Sequence, residues 1–285
     1  MLLGLSIFEY LQYPFVIKAL ITTIFIAVCG AFVGVTLVLK RLSNIGDGLS
    51  HVAFGAMSIG MVAGFAASLF GTLVSVIVTS VISFLLINVK NSTKIKGDSL
   101  IAMISVFSLA FAYFLINVCS SSSSNIAGDV CTTLFGSSAI LTISNGDVIL
   151  SAILCVITIT VYVVFYNKIF VISFDDSFAR ASGIKTKIYE TIIALTIAVI
   201  VSLAIRLVGS LLVTALLVFP ALSAMRVAKS YKMVTIISVI LAVINAVIGV
   251  LLSIKLGSPV GSTIVLVEAF TFIVCLVTGI ILRRK

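Results

Sequence analysis

Nine stretches of this chain, each about 20 residues long and apolar on every side, leave it few folds to adopt. They run over residues 16–39, 47–67, 69–89, 99–119, 147–171, 188–205, 207–227, 233–254 and 262–282. A hydrocarbon layer about 30 Å thick is crossed by roughly 20 mainly apolar residues wound as an α-helix. The alternating pattern of a membrane β-barrel is absent, because these stretches have no polar face. The expectation is all-α: a polytopic transmembrane helical bundle of eight or nine spans, forming a single domain over residues 1–285. Charged residues make up only 9% of the chain, against about 25% in soluble domains.

The net charge of +9 reads first as a nucleic-acid signal, but the basic residues form no patch interleaved with aromatics. They sort by side of the membrane. If nine spans alternate and the carboxyl terminus is cytoplasmic, fifteen of the eighteen Lys and Arg lie inside. These are Lys40, Arg41, Lys90, Lys94, Lys96, Lys168, Arg180, Lys185, Lys187, Arg226, Lys229, Lys232, Arg283, Arg284 and Lys285, leaving Lys18, Arg206 and Lys255 outside. That is a positive-inside bias, so no nucleic-acid partner is expected and the amino terminus faces out. Residues 1–15 carry Glu9 and no basic residue; they lack the features of a signal peptide and are expected to be retained.

Cys29, Cys155 and Cys275 lie inside apolar spans and read as small buried thiols. Cys119 and Cys131 bracket a Ser-rich external loop at 120–124. A disulfide is open to them, although the even spacing of a disulfide framework is missing. The same loop holds a part-apolar piece at 131–136, too short to cross, that reads as re-entrant or interfacial. Gly30 and Gly34, and again Gly60 and Gly64, have the four-residue spacing of close helix packing. Pro220 interrupts the seventh span and reads as a hinge or as packing, together with Gly209 at that span's start.

A second long connection, 173–187, is cytoplasmic and has the pattern of a short amphipathic helix. Asp175 or Asp176 can cap its start, Phe178, Ala179 and Ala181 give it an apolar edge, and Gly183 can stop it. So short a helix needs tertiary support. Phe174, Phe178 and Ile184 are expected to be exposed, and to rest either on lipid headgroups or on another protein.

Ionisable groups within a membrane are costly and usually line a pathway or pair with one another. Asp47, His51, Arg206 and Glu268 qualify. Glu268 is expected to snorkel or hydrogen-bond locally near the external side, and Arg206 to reach headgroups or water from a tight turn. Asp47 and His51, the chain's one histidine, are four residues apart and so share a helix face. They read either as an internal ion pair or as two ligands for zinc, manganese or ferrous iron. Two ligands leave a shell incomplete, as weak binding on a transport path requires. No phosphate-binding loop or His-Glu-x-x-His motif occurs, and a lone histidine without a nucleophile argues against hydrolysis. No catalytic residue is assigned, and any ATP must be bound by another chain.

Four motifs, in order, resemble the membrane permeases of bacterial zinc, manganese and iron ABC importers. Leu39-Lys-Arg-Leu-Ser-Asn-Ile-Gly-Asp47-Gly-Leu-Ser-His51 is similar to the family's Arg-Arg-x-Ser-x-x-Gly-Asp-Ala-Leu-Ser-His. Lys96-Gly-Asp-Ser-Leu-Ile-Ala102 resembles Lys-x-Asp-x-x-Ile-Gly, and Ser173-Phe-Asp-Asp-Ser-Phe-Ala-Arg-Ala-Ser-Gly-Ile184 resembles Phe-Asp-x-x-x-Ala-x-x-x-Gly. Val208-Gly-Ser-Leu-Leu-Val-Thr-Ala-Leu-Leu-Val-Phe-Pro-Ala221 resembles Val-Gly-x-Leu-Leu-x-x-Ala-Leu-Leu-x-x-Pro-Ala. Departures are Gly48 for the usual alanine, Ser182 for leucine or methionine, and Glu268, which has no counterpart.

The resemblance implies a multi-pass protein of the bacterial cell membrane, paired with a second permease copy and surrounded by membrane lipid. It also implies a cytoplasmic ABC ATPase docked on one side and an extracytoplasmic metal-binding protein on the other. The family's path ligands map onto Asp47 and His51, which would hold the ion near mid-membrane, and its coupling helix onto Phe174, Asp175, Phe178, Ala179, Gly183 and Ile184. The metal is cargo, and no permanently bound cofactor is expected. Zinc is the first expectation, because the second-span motif looks most like that of zinc permeases, followed by manganese and then iron. The rival is a secondary transporter or channel for a cation that works without an ATPase, which inverted repeats with broken helices would favour.

Overall fold

A computed structural model of the chain describes residues 12–62, 69–90, 97–119 and 143–283. The apolar stretches become helices in the expected order. They are α1 (Pro14–Leu39), α2 (Ser43–Val62), α3 (Leu69–Lys90), α4 (Gly97–Cys119), α5 (Asn145–Val164), α6 (Tyr166–Phe174), α7 (Asp176–Ala181), α8 (Thr186–Val208), α9 (Ser210–Val227), α10 (Tyr231–Leu256) and α11 (Val260–Arg283). Seven of them are long and apolar enough to cross a membrane by length and composition. The other two long helices are α2, which carries Asn44, Asp47 and His51, and α3, whose described apolar part is Thr72–Leu86. The 120–124 loop, the 131–136 piece, Cys131 and Gly64 lie outside the described residues.

The stretch expected to run unbroken over 147–171 divides at Phe165 (φ −99, ψ 12), where α5 ends and α6 begins. The 20 residues of α5 already suffice to cross, and Asn167 and Lys168 follow. Phe165 turns its ring onto Tyr189 of α8, with centroids 5.6 Å apart.

Contacts between distant residues define the two ends of the bundle. At one end, Lys40 after α1 meets Glu190 of α8, Arg226 of α9 lies beside Gly279 of α11, and the ring of Tyr231 of α10 meets that of Tyr166 at a tilt. At the other, Arg206 of α8 meets Asp147 of α5 and Thr72 of α3. The helices therefore alternate as the charge sorting requires, with Lys40, Lys185, Arg226 and Lys232 gathered at one basic end.

At the centre, α1 packs on α5, α9 and α10, while α2 packs between α3 and α4, and α8 links the two groups. Association of helices in lipid depends on close packing and interhelical hydrogen bonds, because lipid tails are as apolar as the side chains. Gly30 and Gly34 supply the first, as their spacing predicts: they lie against the backbone of Leu216 and Leu217 in α9. Pro220, buried within α9, lacks the N–H that would bond the Leu216 carbonyl, and that carbonyl is the one Gly30 faces. Hydroxyls supply the second. Ser75 of α3 donates to the Ala53 carbonyl of α2 at 3.2 Å, and Ser83 donates to the Ala194 carbonyl of α8 at 3.1 Å.

Candidate metal path and coupling segment

Asn44, Asp47 and His51 occupy successive turns on one face of α2, in the half nearer the basic end. Most of the rest of this helix is buried. Two glycines flank Asp47. A Cβ on Gly46 would lie 2.9 Å from Leu217 of α9, and one on Gly48 2.6 Å from Ile101 of α4. Gly48, the departure from the usual alanine, thus lets α2 lie tightly on α4. Ser50 donates back to the Asp47 carbonyl at 2.7 Å.

His51 Nε2 stands 3.7 Å from Asp47 Oδ1, beyond hydrogen-bond length. With two ligand bonds of about 2.1 Å, donors that far apart subtend roughly 120° at a shared ion. The Asp47 side chain is 62% exposed and that of His51 22%, and His51 Nδ1 is buried without a hydrogen-bond partner. No group of three or more His, Cys, Asp or Glu is gathered anywhere among the described residues. One carboxylate and one imidazole on an open helix face can hold a divalent ion loosely, with its remaining ligands coming from elsewhere.

The coupling segment forms as its sequence dictates, with two corrections. Asp175, in extended backbone, caps α7 by accepting the Phe178 N–H at 3.0 Å. Asp176 pairs with Arg180 one turn on. The helix stops in a Schellman motif: Ile184 N–H bonds the Ala179 carbonyl and Gly183 N–H the Arg180 carbonyl, with Gly183 at φ +77. Ala179 is fully buried and Phe178 is 61% exposed. The first correction is that Phe174 closes α6 instead of opening α7, with its exposed ring set against Phe170 and Tyr231 at 4.9 and 6.4 Å. The second is that Ile184 is half-buried, because the Schellman turn folds it back over the helix.

Gly209 is the one residue between α8 and α9, at φ 90 and ψ 157, a conformation open in practice only to glycine. A cavity of about 700 Å³ opens at the basic end, and Lys40, Asn44, Ile45, Phe174, Asp176 and Glu190 are among its lining. It brings the start of the helix bearing Asp47 and His51 beside the coupling segment.

Sequence reading missed three arrangements. Lys40 Nζ lies 2.9 Å from Glu190 Oε1 across 150 positions of chain. Arg206, expected to reach headgroups or water from a tight turn, lies in the last turn of α8, where it donates to Thr72 Oγ1 at 2.7 Å and pairs with Asp147 at 3.6 Å. Glu268 neither snorkels nor bonds locally: it is fully buried, and neither carboxylate oxygen has a hydrogen-bond partner. The one available signal was the presence of an acidic residue near the end of an apolar span, as with Asp147 and Glu190.

The family model described as "ABC 3 transport family" matches residues 12–279. The manganese import system permease protein ScaB of Streptococcus gordonii is 30% identical over 275 residues, which cover 95% of this chain and 92% of the relative. The high-affinity zinc uptake system membrane protein ZnuB of Haemophilus influenzae is 24% identical, covering 93% and 98%. Among solved structures, PsaBC from Streptococcus pneumoniae in complex with Fab has the same fold, with a TM-score of 0.81 at 24% identity over 94% of each chain.

Proposed function

The chain belongs to the ABC 3 transport family and is the membrane permease of a metal ABC transporter, and from that premise we propose that Asp47 and His51 hold a divalent transition-metal ion in transit into the cell. ATP hydrolysis belongs to a separate subunit. The observation that carries the reading is the open face of α2, where an imidazole and a carboxylate stand 3.7 Å apart without a hydrogen bond between them.

The basic end is cytoplasmic by the positive-inside rule, so the carboxyl terminus is cytoplasmic and the amino terminus outside. An ABC ATPase docks on α7 through Phe178, and a metal-binding protein delivers the ion at the opposite end. A second copy of the permease completes the path, and Asp47 and His51 of this chain supply only part of the ion's shell. ATP binding shifts α7, and the bundle carries that shift to α2, a two-state element biased from both ends.

Imidazole with carboxylate suits zinc, manganese and ferrous iron alike. A relative named for manganese is 30% identical and one named for zinc 24%, so manganese is tested first, ahead of the zinc expected from the second-span motif, with iron third. The experiment measures cell manganese, zinc and iron by elemental mass spectrometry in an importer-deficient host carrying the permease and its cognate partners. Accumulation of one metal, lost in His51→Ala at unchanged membrane level, names the cargo and supports the path. Equal accumulation in the variant reduces Asp47 and His51 to a structural pair.

A further inference from the structure

The turn joining α1 to α2 is only three residues long, and it contains the sole positive-φ residue other than glycine among the described residues, Arg41 at φ 56. Its first residue, Lys40, reaches across to Glu190, in the second turn of α8. Both partners are largely hidden from water, with side chains 12% and 17% exposed. Their attraction is therefore less screened than at a surface, and parting them without replacement partners is costly.

The position of this pair is mechanical. Lys40 lies three residues before α2, which carries Asp47 and His51. Glu190 lies in the second turn of α8, which a four-residue turn joins to α7, so a displacement of α7 is passed to the start of α8 as well as to α6. Beside the pair, the 700 Å³ cavity has Asn44 and Ile45 of α2 and Phe174 and Asp176 of the coupling region in its lining. Lys40 and Glu190 themselves line this cavity, and α2 also packs directly on α8.

Resting on the transport reading above, we propose that Lys40 and Glu190 form a latch that holds the α1–α2 turn to the start of α8, and that movement of the coupling segment breaks it to free α2. Both are positioning residues, since neither touches the ion. The latch gives a shift at the coupling segment a charged link to the turn before Asp47 and His51, beside the direct packing of α8 on α2.

The test uses the complete transporter, permease with ATPase and binding protein, reconstituted in liposomes. Metal moved per ATP hydrolysed is measured for Lys40→Glu, Glu190→Lys and the double exchange. Each single reversal is expected to lower the ratio by roughly fivefold, and the exchange to restore it to within about twofold, since residues in direct contact are coupled. Lys40→Met and Glu190→Gln, close in volume and neutral, carry the test if a reversed charge prevents folding; each is expected to raise ATP hydrolysis without added binding protein. Unchanged ratios in the singles, or an exchange no better than either, overturn the latch while leaving the transport reading intact. A wild-type complex that moves no metal overturns that reading and the latch with it.

Discussion

Gly34 of α1 lies so close to Leu217 of α9 that a Cβ there would fall on the Leu217 carbonyl oxygen. The obstacle is backbone, which cannot rotate away as a side-chain end can. Gly34→Ala must push α1 and α9 apart, at a cost of about 1 to 3 kcal/mol. Gly30→Ala, which meets the Leu216 carbonyl at 3.2 Å, is expected to cost less. Thermal unfolding of the detergent-purified permease ranks the two, and equal midpoints would mean that the helices do not cross here.

Gly209 occupies a conformation reserved for glycine, at φ 90 and ψ 157. Gly209→Ala strains the α8–α9 joint by about 1 to 3 kcal/mol. Gly183, at φ +77, has open space where a Cβ would stand, with no atom within 4 Å. It tolerates asparagine at a smaller cost, because asparagine enters the left-handed region more readily than other residues. Unfolding midpoints falling in the order wild type, Gly183→Asn, Gly209→Ala are expected; a Gly209→Ala protein as stable as wild type contradicts the strain.

Asp47→Asn keeps the side-chain volume and removes the charge. Since Asp47 is mostly exposed on α2, the fold should survive, while metal uptake falls by on the order of tenfold or more, as loss of even an outer-shell partner does at metal sites. Membrane abundance and uptake are measured on the same cells. Full uptake at normal abundance removes Asp47 from the path.

Phe178 stands 61% exposed on α7 beside a buried Ala179. Phe178→Asp should change stability by no more than about 0.5 kcal/mol, as is usual at such surface positions, yet abolish docking of the ATPase. Co-purification and binding-protein-stimulated ATP turnover read this out. An ATPase that still docks with full stimulated turnover places the coupling surface elsewhere.

Much of this molecule is local and therefore legible along the chain. Span length follows from bilayer thickness, the sorting of Lys and Arg follows from the two membrane faces, and the shared face of Asp47 and His51 follows from helical period. Asp175 as cap and Gly183 as stop are likewise decided by their neighbours. The small-residue spacing at Gly30 and Gly34 announced a close crossing without naming the partner.

What only the tertiary structure decided is which helix faces meet. Lys40 finds Glu190 across 150 positions, Arg206 finds Thr72 across 134 and also Asp147, Gly48 makes room for Ile101, and Glu268 turns wholly inward. In a soluble helix an apolar stripe would mark the buried face beforehand. Here the helices are apolar all round, because lipid and core are equally nonpolar, so hydrophobicity sets where the chain crosses, and only shape and a few polar contacts fix how the crossings pack.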